Sequence, residues 1–260
     1  MPIYGYNGTV PIVLSKSGDL SRLLYPDIHL AGGLVRLLQR TFESLDPEAQ
    51  VTGMVEEVAG LPDYARVEVQ ERFSQVYLAG EQRLFLGDFW SRGVCLAHCA
   101  FKEPEMVARA IRCWTRERVM TKELASRYPA LAVDPQAEVF EEGREVHERW
   151  RSYLDRPPAP ELGAFIRAAA ARPELRMLFP FASMHFLCFS RCTGYPYTAD
   201  CPVIAPAESG RYSVMLRNGT TSSDLVAEDA VRFAIANLPA GCGPALPGTA
   251  QSIQDTESGR

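Results

Sequence analysis

The hydrophobic period of this chain switches from helical to alternating and back more than once, and no other feature constrains its fold as much. "ARVEV", "QVYLA" and "RLFLGDFW" are short β-prone segments separated by turn-compatible polar residues. "GVCLAHCAF", Gly93 to Phe101, follows through Ser91-Arg92-Gly93 as a hairpin partner. Alternation with period 2 places successive side chains on opposite faces of a strand, whereas a 3.6-residue period draws one apolar stripe along a helix. The helical period governs Ile28 to Leu45, with Leu30, Leu34, Leu37, Leu38 and Phe42 in step, and returns after Pro104 with Met106, Val107, Ala110, Ile111 and Trp114. Proline is favoured at the first helical position, and Glu103 and Glu105 suit its positive end.

The middle of the chain is helical. "AEVFEEGREVHERWRSYL", Ala137 to Leu154, puts Phe140, Gly143, His147, Trp150 and Leu154 on one stripe, and "RPPAP" ends it. The last third repeats the earlier grammar: "SMHFLCFS" as a strand, "RCTGYPYTADCPVIAP" as a turn-rich excursion, "GRYSVMLRNG" as a strand, then a helix from Asp224 to Leu238. These patterns predict an α+β fold, with two β-meander-plus-helix halves flanking a helical linker in one compact domain. The strands of the two halves are expected to be able to join into one continuous mixed or antiparallel sheet. The expected segments are an irregular lead-in over 1–27 and an N-terminal helical segment over 28–58. The first meander and its helix occupy 63–118, the helical linker 137–173, the second meander and its helix 175–247, and a disordered polar tail 248–260.

Charge and composition exclude several classes of function. The net charge is −5 with no long basic run, so a nucleic-acid partner is not expected, because phosphate binding needs concentrated Lys and Arg. No window approaches the ~20 apolar residues of a membrane span. The N-terminus "MPIYGYNGTVPIVL" lacks a signal peptide's charged start and apolar core. Seven irregularly spaced cysteines do not form a disulfide framework, and reduced thiols in the cytoplasm are the expectation. No GxxxxGK[ST], GxGxxG after a strand, HExxH or GxSxG occurs, so no cofactor is expected.

The densest chemistry lies in "HFLCFSRCTGYPYTADCPV", His185 to Val203. A metal site there is not expected, because strand alternation turns His185 and Cys188 to opposite faces and their spacing is not that of a zinc knuckle. The thiol reading makes Cys192 a nucleophile activated by Arg191, with His185 and Asp200 relaying protons (His98 is the other imidazole available as a base). Tyr195 and Tyr197 would line the substrate pocket. The inert reading buries Cys192, as free cysteines usually are. A second candidate surface is "LGDFWSRG": Asp88 alternates with Leu86 and Trp90 on an apolar face and needs a partner, for which Arg92 or Arg191 are available. Asp88, Trp90 and Arg92 therefore join Arg191 and the tyrosines as substrate-binding candidates.

The blocks "LYPDIHLAGGLVRLL", "RLFLGDFWSRGVCLA", "LRMLFPFASMHFLCFSRCTGYPYTADCPVI" and "LPAGCGPALPGTA" resemble a bacterial family of unknown function whose members carry the label of natural-product biosynthesis. The similarity is densest over Leu175 to Val203, and it brings no residue roles. It implies a tailoring enzyme or pathway component acting on a peptide-like or thiol-containing intermediate, by thiol-dependent cyclisation or acyl transfer through Cys192. The rival is a non-catalytic scaffold that binds a precursor peptide or a companion biosynthetic enzyme. Small-molecule or peptide partners fit either; the oligomeric state is left open.

Overall fold

The structure, a computed structural model, describes residues 22–53 and 64–258. The expected lead-in falls outside these residues as far as residue 21, and so does the stretch 54–63. The chain divides into two compact units: Met1–Ser91 with Cys95–Ala137, and Arg92–Val94 with Glu138–Arg260. Each builds its own antiparallel sheet, so the fold is α+β, and the single continuous sheet considered above is not formed. The physical reason is local closure. Every strand pairs with its neighbour in sequence, and each sheet buries its apolar face under its own helices.

In the first unit the short helices α1 (Pro26–Ala31) and α2 (Leu34–Glu43) replace the one helix read from the leucine spacing. Gly32 and Gly33 sit at φ +80° and +123°, which stops α1 and restarts the chain at a new angle. Leu30 is consequently exposed, while Leu34, Leu38 and Phe42 are buried. Six strands follow as a meander in sheet order: β1 (Val51–Gly53), β2 (Ala65–Val69), β3 (Arg72–Leu78), β4 (Phe85–Ser91), β5 (Val94–Phe101) and β6 (Leu131–Val133). β1 occupies a stretch expected to be helix or turn. Between β5 and β6 come α3 (Pro104–Arg112), a π-type turn at Cys113–Glu117, and α4 (Thr121–Arg127).

Strands β3 and β4 alternate strictly between buried and half-buried positions. Val76, Phe85 and Phe89 are buried, as are Val107, Ile111 and Trp114, and Phe89 meets Trp114 edge-on with ring centres 6.2 Å apart. Each such side chain contributes about 1.5–3 kcal/mol by leaving water. Arg72 is buried among them; its guanidinium lies over the Trp114 ring at 4.0 Å and donates to the carbonyls of Trp114 (3.1 Å) and Val119 (2.8 Å).

In the second unit the helical linker is broken. α5 (Ala137–Glu141) and α6 (Glu145–Asp155) are separated at Gly143, whose φ is +70°. The break rotates the expected stripe, so that Glu145, Trp150 and Tyr153 are buried and Leu154 is partly exposed. α7 (Gly163–Ala170) and α8 (Pro173–Arg176) precede the sheet. Its strands β7 (Phe179–Ser183), β8 (Phe186–Ser190), β9 (Val203–Pro206), β10 (Tyr212–Met215) and β11 (Thr221–Leu225) again lie in sequence order. α9 (Ala227–Ala236) packs on α7 and β10. Trp150, Phe165, Leu187, Phe189, Ile204, Tyr212 and Val231 form the centre of this core. The polar groups of its large aromatics are satisfied: the Trp150 indole donates to the Leu178 carbonyl at 2.9 Å, and the Tyr212 hydroxyl donates to Glu161 O at 2.8 Å.

The tail read as disordered carries helix α10 (Ala250–Ser258). The Ser252 hydroxyl closes its first turn onto Thr249, and Ile253 is buried, an anchor that a polar tail without periodicity does not advertise. Among the described residues no helix is long and apolar enough to cross a membrane.

Candidate functional site

The β8–β9 connection, Arg191 to Pro202, folds back over the outer face of the second sheet. That face is set by alternation: Leu187 and Phe189 enter the core, whereas Phe181 and Cys188 point the other way. Tyr197 stacks on Phe181 with ring centres 4.4 Å apart, and Tyr195 meets Tyr197 edge-on at 5.9 Å. Together with Pro196 and Val203 these residues enclose a groove of about 310 Å³. Tyr195 is 64% exposed and forms its outer wall.

The loop is held from within. Ser190 Oγ accepts from the backbone N–H of Cys192 (3.0 Å) and of Thr198 (3.1 Å), and Thr198 Oγ1 accepts from Arg191 N at 2.9 Å. The Arg191 guanidinium grips Asp200 through Nε at 2.8 Å and Nη2 at 2.7 Å. Gly194 allows a close passage of backbone; a Cβ there would lie 1.8 Å from the carbonyl oxygen of Arg92. Thr193 N donates to Leu246 O and Gly194 N to Gly248 O, which ties "RCTG" to "ALPG" by backbone hydrogen bonds.

Cys192 lies beneath this loop, fully buried. Its thiol donates weakly to the carbonyls of Gly194 (3.5 Å) and Pro196 (3.7 Å) and touches Ser190 Oγ at 3.3 Å. Burial pushes the thiol above its ordinary pKa, and this outweighs the hydrogen bond from Ser190 and the charge of Arg191. Arg191 acts on the thiol in the expected direction, but burial is the larger effect and the charge of Asp200, its ion-pair partner, opposes it. His185 corrects the sequence reading more sharply. "SMHFLCFS" is not one strand: Met184 and His185 form the tight β7–β8 turn, with Met184 at φ +55°, and His185 is exposed at its tip. His185 thus stands at the opposite end of β8 from Cys192, whereas Asp200, held by Arg191, lies near enough for its charge to raise the thiol.

Of the predicted binding residues, Tyr195 and Tyr197 line the groove and Arg191 braces it. Arg92 instead donates to the Phe140 carbonyl at 3.1 Å. Asp88 and Trp90 belong to the first unit, on the outer face of its sheet. There Trp90 stacks on Phe73 at 5.5 Å, and Asp88 receives a 2.8 Å hydrogen bond from His98 Nδ1. Within its own unit Asp88 thus finds His98 as its partner. That contact holds His98 above its ordinary pKa, Asp88 being the main cause and burial opposing it.

Two thiol features escaped the sequence reading. Cys95 lies beside His98, its sulfur 3.8 Å from Nε2 and 3.9 Å from Nδ1. Cys201 and Cys242 meet in the second unit; their hydrogen bond raises the buried Cys201 thiol and lowers that of the more exposed Cys242. The glycine-flanked position of Cys242 was the available hint, but nothing local named its partner.

Residues 144–249 match the model of a family of unknown function, DUF6193. The match covers the second unit from the start of α6 through the groove and the "ALPG" strap, and so includes every residue that builds the groove. No curated protein and no solved structure matches the chain.

Proposed function

We propose that the chain is a binding component of a bacterial natural-product pathway, in which the second unit holds a peptide-like partner by seating an aromatic or aliphatic side chain in the Phe181–Tyr195–Tyr197 groove. The observation that carries this reading is a preformed aromatic groove whose adjacent thiol, Cys192, is sealed beneath it. Loop geometry fixed by Ser190, Thr198 and the Arg191–Asp200 pair lets the groove bind without first ordering its walls, which lowers the entropic cost of association. A volume of about 310 Å³ is at the small end of ligand sites and suits one side chain better than a cofactor. Two thiols line the groove, Cys188 and Cys201; burial pushes Cys188 up to about 11, Cys201 is raised by its hydrogen bond with Cys242 and by burial, and both serve as apolar wall. These features favour the scaffold reading over cyclisation or acyl transfer through Cys192. The pathway assignment rests on the family resemblance.

The test is nuclear magnetic resonance with N-acetyl-phenylalaninamide as probe. Expected are shifts confined to the groove residues, lost in Tyr197→Ala. Shifts that ignore this substitution, or none at saturating probe, sink the reading.

A further inference from the structure

The first unit carries a cluster with a different chemistry. Asp88 comes from β4, and Cys95 and His98 from β5. Residues three apart on a regular strand face opposite ways, but here Leu96 and Ala97 are buried in succession while Cys95 and His98 are both half-buried. That break in alternation has the signature of a β-bulge, a device that re-aims side chains and recurs beside functional sites. It brings a thiol, an imidazole and a carboxylate to one side of the sheet.

We propose that Asp88, Cys95 and His98 form a binding site for a divalent transition-metal ion of the zinc type. One donor atom from each of the three lies within 4.8 Å of the other two. The Asp88 Oδ1 to His98 Nδ1 separation is 2.8 Å, and the Cys95 sulfur stands 3.9 Å from the same nitrogen. Around a tetrahedral zinc the corresponding separations are about 3.3 Å and about 3.6 Å, so these two need to change by only about 0.5 Å and about 0.3 Å, with the Asp88–His98 hydrogen bond giving way to the ion. The donor set of one sulfur, one nitrogen and one oxygen selects zinc-type ions over calcium or magnesium, which prefer oxygen throughout. Three protein donors leave a fourth position for water or a ligand, and the partial exposure of all three gives the ion a path in.

The same geometry disfavours a thiol–imidazole catalytic pair. A sulfur almost equidistant from both ring nitrogens lies off the in-plane lone pair of either, so neither nitrogen is aimed to take its proton. A bridging metal ion removes that requirement from the sulfur, because the ion takes the position on the nitrogen lone pair and the sulfur meets the ion instead. On binding, the thiol proton leaves to solvent and the Nδ1 proton of His98 leaves to Nε2 or to solvent, so that the freed sulfur and nitrogen lone pairs go to the ion. Asp134 adds a second carboxylate whose charge acts on Cys95 and His98. The surrounding potential therefore suits a cation.

The test uses the full chain, reduced and stripped with a chelator, titrated with Co2+ as a spectroscopic stand-in for Zn2+. One ion per chain should bind with a thiolate-to-cobalt charge-transfer band in the near ultraviolet. That band should vanish in Cys95→Ser, and binding should weaken at least about tenfold in Asp88→Asn. It should persist in the Cys201→Ser, Cys242→Ser double variant. Absence of the band in the unsubstituted chain, or its survival in Cys95→Ser, overturns the proposal. A readout without substitution guards against misfolding: Zn2+ should slow alkylation of Cys95 at least about tenfold while leaving Cys188 unchanged. An unchanged Cys95 rate overturns the proposal equally.

Discussion

Arg191 and Asp200 clasp the base of the loop that carries Tyr195 and Tyr197, with two guanidinium nitrogens within 2.8 Å of one carboxylate oxygen. The two side chains are only 21% and 17% exposed, so water competes weakly for either partner. Asp200→Asn should lower stability by about 2 kcal/mol, above the range of a surface pair, and loosen the groove. Urea unfolding measures the first effect. A rise in the native-state alkylation rate of Cys192 measures the second, and an unchanged rate would mean that Ser190 and Thr198 hold the loop alone.

Cysteine reactivity should rank by environment. Cys192 should resist alkylation until denaturant is added, whereas Cys242 should react first and at a pH below the ~8.5 midpoint of a free thiol. The hydrogen bond from Cys201 stabilises the Cys242 thiolate, so Cys201→Ala should move that midpoint upward. Mass spectrometry across pH 5 to 9 reads every thiol in one experiment.

Gly194→Ala should cost at least about 3 kcal/mol or prevent folding of the second unit, because the new methyl would overlap the Arg92 carbonyl at 1.8 Å and crowd Gly248 O at 2.9 Å. Gly210→Ala is the control: its φ is positive (+71°), unlike that of Gly194, but a Cβ there meets nothing within 4 Å. Its cost should stay near about 1 kcal/mol. Thermal melts of the two variants separate backbone strain from collision.

In the first unit, Arg83 grips Asp27 at 2.8 Å through both carboxylate oxygens and holds its carboxyl below the usual range. A depressed carboxylate contributes stability above its unfolded pKa and loses it as the pH falls through the folded value. Asp27→Asn should therefore cost about 1 kcal/mol at pH 7, and the difference from the parent chain should start to shrink below about pH 4 and close once the pH is below the depressed folded value. A difference that persists at low pH would assign the loss to packing.

Much of the architecture was legible in advance. The four central strands of the first sheet, β2 to β5, and helix α3 fall where alternation and the Glu103-Pro104 start place them. The misreadings cluster at glycines and turns: Gly32-Gly33 and Gly143 each divide a helix, and Met184-His185 reverses a strand. At these points one residue's backbone angle overrides a periodicity summed over a dozen. For the site, Tyr195, Tyr197, Arg191 and Asp200 were legible as neighbours in one loop, although which of them would pair was not.

The sequence by itself determined the local order of this protein, because strand alternation, helical stripes, proline starts and glycine stops depend on residues close in the chain. Only the tertiary structure decided which side chains meet. Asp88 finds His98 through strand register, Cys95 joins them through an irregularity in β5, and Cys201 meets Cys242 through the closure of a distant loop. Tertiary structure also sealed Cys192, whose burial depends on a loop folding back over it, and burial leaves no mark on the residues that flank a cysteine in sequence.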